Sequence, residues 1–276
     1  MRLFNKVAII GTGLIGGSMA LDIKKKRLAH QIIGVSRHKN TLIRAIKGRV
    51  IDKGSQHLSV IQGADLVVLA TPVNTILNLA ATISQFIKKD CIVTDVGSTK
   101  QAIVSKLSNI FPNYVGSHPL AGSEKRGLTN AQADIFKDSL CILTPTKNTP
   151  PKVLKRIKDL WNQLGARVVV MNPDTHDRIL SFVSHLPHSI AFSLISTVPD
   201  KYLKFAANGL KDTTRIALSD SRLWVDIFLS NRKNMLESIQ SFQDKLSAVK
   251  SAIHKRNEKA LIRILKKAKG KREVLR

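Results

Sequence analysis

Short apolar runs alternate with stretches of helical periodicity along the first part of the chain. Most of the apolar runs are β-branched and continuous, which is typical of strands buried on both faces of a sheet. Seven runs predict strands, at 7–10, 32–35, 65–70, 92–96, 114–117, 140–144 and 167–171. Stretches such as 18–26 and 75–87 lie between them and are long enough for helices. This alternation predicts an α/β fold with a parallel, doubly wound sheet.

The pattern changes after Asn172. Apolar residues recur at helical spacing over 175–197 and 223–269, Pro199 and Gly209 interrupt the helices, and no convincing strand follows 171. The sequence therefore predicts two domains, an α/β domain over 1–172 and an all-helical domain with a basic C-terminal tail over 173–276.

A glycine-rich turn directly follows the first predicted strand and opens a predicted helix. It consists of Gly11, Thr12, Gly13, Leu14, Ile15 and Gly16, in the pattern G-x-G-x-x-G. Within a strand–helix–strand unit this pattern indicates a Rossmann domain: the three glycines allow a tight turn, close approach of the pyrophosphate and close helix packing. The helix N-terminus presents free N–H groups to the anion. We expect the domain over 1–172 to bind a nicotinamide dinucleotide.

The loops that follow the second and third strands predict how the cofactor is held. NAD sites usually place Asp or Glu at the end of the second strand, whereas this chain has Ser36 and Arg37. A hydroxyl and a guanidinium suit a 2′-phosphate, so the pattern favours NADP over NAD, although Arg37 could instead stack on the adenine. Thr71 and Pro72, after the third strand, are expected beside the cofactor.

Two residues are candidates for the chemistry. His118 follows another predicted strand, and a side chain with a pKa of about 6.5 suits a base that takes a hydroxyl proton while hydride leaves the same carbon. A loop histidine bonded to backbone groups is the alternative. Arg215 is a candidate for binding a carboxylate bidentately, or for a surface ion pair with Asp212 or Asp220.

A histidine pair lies in the helical half. His185 and His188 are three residues apart and share a helix face, which makes a metal site conceivable. No third ligand with plausible spacing is present, so we predict no metal.

Five segments of the chain, taken in order, resemble the prephenate/arogenate dehydrogenases of tyrosine biosynthesis. They are Gly11-Thr-Gly-Leu-Ile-Gly-Gly-Ser18, Asp95-Val-Gly-Ser-Thr-Lys100, Ser117-His-Pro-Leu-Ala-Gly-Ser-Glu124, Ser184-His-Leu-Pro-His188 and Lys211-Asp-Thr-Thr-Arg-Ile-Ala217. Trp224 and Asn231 follow at the family's spacing. The glycine turn is shared by many dehydrogenases, but the other segments together are much more specific.

The resemblance implies a reaction and roles for named residues. The family oxidatively decarboxylates prephenate to 4-hydroxyphenylpyruvate with NAD(P), or arogenate to tyrosine. His118 matches the histidine that takes the proton of the ring hydroxyl, and Ser98 matches a serine that helps to hold both. Arg215 matches the arginine that binds a substrate carboxylate. His188 matches a pocket histidine of prephenate-using members, which favours prephenate, and His185 is expected to be structural.

The resemblance also implies contacts beyond these roles. Ser123 and Glu124, in the histidine loop, are expected to contact the substrate. The family is usually dimeric through its helical domain, so we expect a homodimer. Many members carry Asp at the end of the second strand and use NAD, so Ser36 and Arg37 are similar to the NADP-using branch instead.

Composition narrows the range of partners. The net charge of +26 is spread along the chain, and the basic C-terminal tail contains no aromatic residue on which bases could stack. We therefore expect no nucleic-acid partner, although a basic surface favours a dianionic substrate. No apolar run of about 18 residues is evident, so no membrane span is expected. Two cysteines in strand-like runs indicate no disulfide framework and favour the cytoplasm.

Two other functions remain open at this level. The same scaffold serves β-hydroxyacid and imine reductases, but such hydroxyacid enzymes use a lysine on the first long helix after the sheet, where this chain has His185 and His188. A basic protein that only senses nucleotides or binds nucleic acid would leave the histidine and arginine loops unexplained.

Overall fold

The computed structural model describes residues 2–122 and 125–275, and the chain divides into two compact units, Met1–Asn231 and Arg232–Arg276. The first unit contains an eight-stranded sheet. Its strands are β1 Phe4–Ile10, β2 Ala29–Val35, β3 Lys53–Ser55, β4 Leu66–Leu69, β5 Ile92–Asp95, β6 Tyr114–Pro119, β7 Leu140–Thr144 and β8 Arg167–Val170. Their order in the sheet is β3-β2-β1-β4-β5-β6-β7-β8.

The strand order is that of a doubly wound sheet, as predicted. The first three strands extend the sheet to one side of β1. The chain then returns, so that β4 pairs in parallel with β1 and the later strands extend the sheet to the other side. β6 and β7 are antiparallel, so the expectation of a wholly parallel sheet is wrong at this one pair. A parallel pair needs a crossover, usually a helix, and the described residues between β6 and β7 contain only one 3-10 turn, Leu128–Asn130.

Helices cover both faces of the sheet. They are α1 Leu14–Lys25, α2 Lys39–Lys47, α3 Val73–Ser84, α4 Gln101–Ile110 and α5 Pro151–Leu164. Successive strand residues face opposite cores: Ile9 packs in one with Met19 and Trp161, while Ile10 packs in the other with Ile76. Burying each such side chain contributes roughly 1.5–3 kcal/mol. The continuous apolar runs in the sequence follow from this double coverage.

The remainder of the described chain is helical. The first unit continues with α6 Pro173–Leu180, a π turn Ser181–His185, α7 Leu186–Thr197, α8 Asn208–Thr214 and α9 Ser221–Ser230, and the second consists of α10 Arg232–His254 and α11 Glu258–Glu273. α6 begins where Asn172 Oδ1 accepts the N–H of Thr175 at 2.7 Å. The predicted boundary at 172 coincides with this change to helices, whereas the division of the chain into compact units falls after Asn231.

One helical segment differs from the expectation about membrane spans. Pro173–Thr197 runs through α6, the π turn and α7, and its most apolar window has a mean hydropathy of 1.4, so by length and composition alone it could cross a membrane. Serines and histidines interrupt its apolar residues, so no continuous apolar run is visible in the sequence, but they are uncharged and the mean hydropathy stays high. Only 22% of that window is buried in this chain.

Candidate active site

A cavity of about 590 Å³ opens at the carboxyl edge of β1, β2 and β4. This is the place where doubly wound sheets bind ligands. Seven of the residues predicted to bind the cofactor line it, namely Gly11, Thr12, Gly13, Ser36, Arg37, Thr71 and Pro72. Leu14, Ile15 and Gly16, the other predicted residues, are in α1 and do not line the cavity.

The three glycines of the turn serve different purposes. Gly11 has a φ of +102°, and a Cβ there would lie 2.4 Å from the carbonyl oxygen of Ala70. A Cβ on Gly16 would lie 2.0 Å from the carbonyl oxygen of Gly11, so both positions need glycine for folding. A Cβ on Gly13 would meet no described protein atom within 4 Å. Gly13 therefore leaves room for a ligand, which fits the predicted approach of a pyrophosphate.

Two threonines in this cavity fit a polar ligand. The hydroxyl oxygens of Thr12 and Thr71 are buried and have no hydrogen-bond partner within residues 2–122 and 125–275. Buried polar groups normally have a partner. Together with the space beside Gly13, these hydroxyls are consistent with a bound dinucleotide.

The outer end of the cavity carries Ser36 and Arg37. Ser36 Oγ accepts the N–H of His38 at 3.3 Å, and the Arg37 carbonyl oxygen accepts from Gln56 at 2.7 Å. The Arg37 side chain is exposed. None of the described residues that line this cavity is acidic.

A second cavity, of about 520 Å³, lies where the end of β6 meets the helices. His118, His188, Arg215 and Trp224 are among its lining residues. The segment 125–128 contributes Lys125 and Arg126 to this cavity and its next two residues to the dinucleotide cavity. The two cavities therefore share a wall, which brings the predicted base and the cofactor site to the same edge of the sheet.

His118 is held firmly at this edge. The preceding Ser117 Oγ bonds Thr94 Oγ1 at 2.7 Å and accepts from Trp161 Nε1 at 3.1 Å, which anchors β6. The His118 ring is 8% exposed, and its Nδ1 lies 2.8 Å from Nε2 of His176. Burial, then the neighbouring His176 and the positive charge of Lys100, hold the pKa of His118 well below its usual range. These effects favour the neutral ring, which is the form that can accept a proton.

His188 and Arg215 stand on the helical side of the cavity. The His188 ring stacks on Trp224, with ring centroids 3.6 Å apart, and its Nδ1 donates to the Ser184 carbonyl oxygen at 3.0 Å. Burial lowers the pKa of His188. The Arg215 side chain is exposed and lines the cavity. Asp220, one of the ion-pair partners considered for Arg215, pairs with Arg126 and caps α9.

Other predicted residues lie elsewhere. Ser98 is half-buried after β5, and the hydrogen bond of His118 Nδ1 goes to His176 rather than to this serine. His185 is buried outside the cavity, with Nδ1 3.2 Å from the Asn231 amide. Ser123 and Glu124 lie outside the described residues. Over residues 2–122 and 125–275, no cluster of three potential metal ligands is found.

Two buried residues beside the base were not predicted from the sequence, His176 and Asp177. They lie in α6, and His176 Nδ1 is 2.7 Å from Asp177 Oδ1. The motif-based interpretation overlooked them because they belong to none of the matched segments and read as ordinary polar positions of an amphipathic helix. The adjacent histidine and aspartate near the start of a long, otherwise apolar helical segment were the available indication.

A dinucleotide cleft that shares a wall with a cationic, histidine-containing cavity defines the chain as an oxidoreductase of the Rossmann class. Residues 19–170 match the family model described as the nucleotide-binding domain of prephenate dehydrogenase, and residues 172–267 match its dimerization domain. The chain belongs to the prephenate dehydrogenase family. The resemblance noted in the sequence is thus confirmed, and the hydroxyacid-reductase alternative is set aside.

Comparisons over the full chain agree with this assignment. The chain is 34% identical to prephenate dehydrogenase of Bacillus subtilis, over 99% of this chain and 77% of the relative. Its fold matches the crystal structure of A. aeolicus prephenate dehydrogenase with hydroxyphenyl propionate and NAD+, with 36% identity and a TM-score of 0.94 over 99% and 98% of the two chains. Synechocystis arogenate dehydrogenase matches with 29% identity and a TM-score of 0.85, over 98% and 100%.

Proposed function

We propose that this chain oxidatively decarboxylates prephenate to 4-hydroxyphenylpyruvate in tyrosine biosynthesis. The observation that carries the proposal is the position of the buried His118 in a cationic cavity that shares a wall with the dinucleotide cleft. The related B. subtilis and A. aeolicus enzymes are both named prephenate dehydrogenases.

His118 is the proposed base. It accepts the proton of the ring hydroxyl as the O–H bond breaks and the carbonyl forms, and the hydride leaves the same carbon. The bound nicotinamide would accept that hydride. Loss of the ring carboxylate as CO2 then supplies the electron pair that makes the ring aromatic and turns the carbonyl into a phenolate oxygen. That oxygen takes the proton back from His118, which gives the phenol of the product and restores the neutral base.

The charges of the cavity suit a dianion. Arg215, Lys125 and Arg126 line it, and Asp220 is the single acid among its described lining residues and already pairs with Arg126. We propose that Arg215 binds a substrate carboxylate through its guanidinium. Ser98, Ser123 and Glu124 remain proposed contacts of the substrate.

His188 favours prephenate over arogenate. The preference rests on the resemblance, in which His188 matches the pocket histidine of prephenate-using members, and His188 lines the cavity together with Arg215. Initial rates with each substrate, crossed with NAD and NADP, test the proposal. We expect kcat/KM to be highest with prephenate. Turnover with arogenate alone would overturn the substrate assignment, and no turnover with either would overturn the function.

We propose NADP as the preferred cofactor, with NAD as the alternative. Ser36 and the exposed Arg37 provide a hydroxyl and a guanidinium where a carboxylate would repel a 2′-phosphate, and no described residue lining the cleft is acidic. Arg37→Ala is expected to raise KM for NADP by roughly tenfold or more, the effect of losing a hydrogen bond to a charged group, and to leave KM for NAD unchanged. An equal effect on both cofactors would indicate that Arg37 stacks on the adenine instead.

We propose that the chain is a cytoplasmic homodimer without a membrane or nucleic-acid partner, with the dinucleotide-binding domain over 1–172 and the helical dimerisation domain over 173–276. The apolar segment Pro173–Thr197 is mostly unburied in the single chain, yet it contributes Leu180, Ser184 and His188 to the cavity. A second protein surface explains both facts better than lipid. Light scattering is expected to give twice the mass of the chain; a monomer would contradict the proposal.

A further inference from the structure

A buried chain of three side chains runs away from the base. His118 Nδ1 lies 2.8 Å from His176 Nε2, and His176 Nδ1 lies 2.7 Å from Asp177 Oδ1. His176 is 0% exposed and Asp177 is 1% exposed. Each imidazole therefore uses one ring nitrogen to bond the next residue of the chain, and the His176 and Asp177 end has no access to bulk water.

Asp177 can only accept in this chain. Its Oδ1 accepts the backbone N–H of Lys100 at 2.7 Å, and its Oδ2 accepts the N–H of Gln101 at 2.9 Å, where α4 begins. Asn231 Nδ2 donates to the Asp177 carbonyl oxygen at 2.8 Å and fixes this turn of α6. An ionised carboxylate has no proton to donate, so the proton between Asp177 and His176 belongs to His176 Nδ1.

The positions of the remaining protons follow. A neutral imidazole carries one N–H and one lone pair. With its proton on Nδ1, His176 presents a lone pair at Nε2, so His118 must donate to it from Nδ1. The lone pair of His118 is then on Nε2, and among the described residues the ring makes its hydrogen bond through Nδ1.

We propose that Asp177 and His176 are positioning residues that hold His118 in the tautomer with its proton on Nδ1, so that Nε2 is the base. This inference rests on the proposed function of His118. During turnover the substrate O–H bond breaks and an N–H bond forms at Nε2, and the resulting imidazolium still donates from Nδ1 to His176. The Asp177 carboxylate, one residue further, stabilises that positive charge.

The surrounding charges support neutral rings before turnover. Burial lowers the pKa of His176 despite its hydrogen bond to Asp177, and Lys100, which pairs with Asp95, adds a positive charge that disfavours protonation of both rings. The charged or titratable groups that face the two rings are His185, Lys100, Asp95 and Asp177. A protonated His176 would donate from Nε2 and reverse the tautomer of His118.

The test compares His176→Leu with His176→Gln in the full chain. Leucine removes the acceptor for His118 Nδ1–H, whereas the glutamine side chain can supply one. We expect His176→Leu to lower kcat by roughly 10- to 100-fold, the range for losing a hydrogen bond to a group that becomes charged. KM for prephenate and KM for the cofactor should each stay within about twofold of wild type. His176→Gln should recover most of kcat. Equal losses in the two folded variants, or a leucine variant within threefold of wild type, would overturn the proposal.

A double variant separates positioning from packing. If His176 acts only through His118, adding His176→Leu to His118→Asn should lower the residual rate no further. The acid limb of the kcat/KM profile should move to lower pH in Asp177→Asn, because the carboxylate no longer stabilises the imidazolium. A further loss in the double variant, or an unmoved acid limb, would assign these residues a structural role only.

A measurement on the wild-type protein tests the same inference even if the variants do not fold. Long-range 1H–15N NMR spectra of protein labelled with 15N-histidine identify which ring nitrogen carries the proton, and His118→Asn assigns the resonance. We expect protonated Nδ1 and unprotonated Nε2 at His118. Protonated Nε2 would overturn the inference. Since this measurement needs no turnover, it distinguishes a wrong tautomer from a wrong proposed function.

Discussion

The dinucleotide cleft and the second cavity, which His118 and Arg215 line, are built in contrasting ways. The cleft rests largely on the backbone of a single short turn, where the missing Cβ of Gly13 leaves space for a ligand. The cavity takes its side chains from segments more than a hundred residues apart, from His118 on β6 to Trp224 on α9. A backbone site is specified by local glycines, whereas a side-chain site needs the whole tertiary fold. Changes in the two regions should therefore affect different measured quantities.

The largest effect is expected at the base. His118→Asn should lower kcat by roughly 10²–10⁴-fold, the usual contribution of general-base catalysis, with little change in KM. Steady-state kinetics with prephenate measure it, and cofactor binding by fluorescence titration serves as the control. A variant within threefold of wild type would remove His118 from this role and erase the contrast between the regions.

Arg215→Ala should act on substrate affinity. Losing a hydrogen bond between charged groups costs about 1.5–3 kcal/mol, so KM for the substrate should rise roughly 10- to 150-fold while KM for the cofactor stays constant. Arg222→Ala provides the matched control, because Arg222 is an exposed arginine on α9 outside the cavity. Similar kinetics for the two variants would place the carboxylate elsewhere.

Gly13→Val should act on the cleft alone. A Cβ there meets no described protein atom within 4 Å. The valine side chain would occupy the space proposed for the pyrophosphate, so KM for the cofactor should rise by about tenfold or more, an affinity loss of about 1.4 kcal/mol. The melting temperature should stay near that of wild type. Gly16→Ala is the contrasting variant, since its Cβ collides with the carbonyl of Gly11 and should lower stability first. Normal cofactor affinity in Gly13→Val would mean that the ligand does not approach this turn.

The last prediction concerns stability against pH rather than kinetics. Burial lowers the pKa of His118 and His176, and it lowers that of His185 to about 4. The unfolded chain, with histidine pKa values near 6.5, binds more protons, so stability is full above about pH 6.5 and falls as pH decreases toward the folded pKa. His185 alone should cost about 2 kcal/mol at pH 5.

Melting temperatures between pH 7 and 5 check this prediction. His185→Gln should flatten the dependence, and His57→Gln, at an exposed histidine, should not. A melting temperature that does not change over this range would contradict the assignment of neutral buried rings.

The fold was largely predictable because its determinants are local. Continuous β-branched runs predicted seven strands, and the glycine turn predicted the cleft. β3 was missed because Lys53–Ser55 has no apolar residue, and the antiparallel direction of β7 depends on the absence of a crossover helix among the described residues. Leu14, Ile15 and Gly16 were predicted to bind the cofactor from the motif as a whole. They lie in α1 and do not line the cleft.

The candidate site was predictable only in part, for the same reason. His118 follows a strand end and could be found, and the family segments contain His188 and Arg215. His176 bonds a ring 58 positions away in sequence, and no local periodicity encodes such a pair. The proposed role of His176 depends on which of its ring nitrogens contacts His118 and which contacts Asp177. Only the tertiary structure shows those contacts.

The segment 125–128 forms part of the wall of both cavities and is tethered by the pairing of Arg126 with Asp220 at the start of α9. We therefore expect a substitution in the segment 125–128 to affect the binding of both the substrate and the cofactor. Selection for a new substrate would act more freely on lining side chains that belong to one cavity alone, such as His188 on α7 and Trp224 on α9. We expect the segment 125–128 to tolerate the fewest substitutions in either wall.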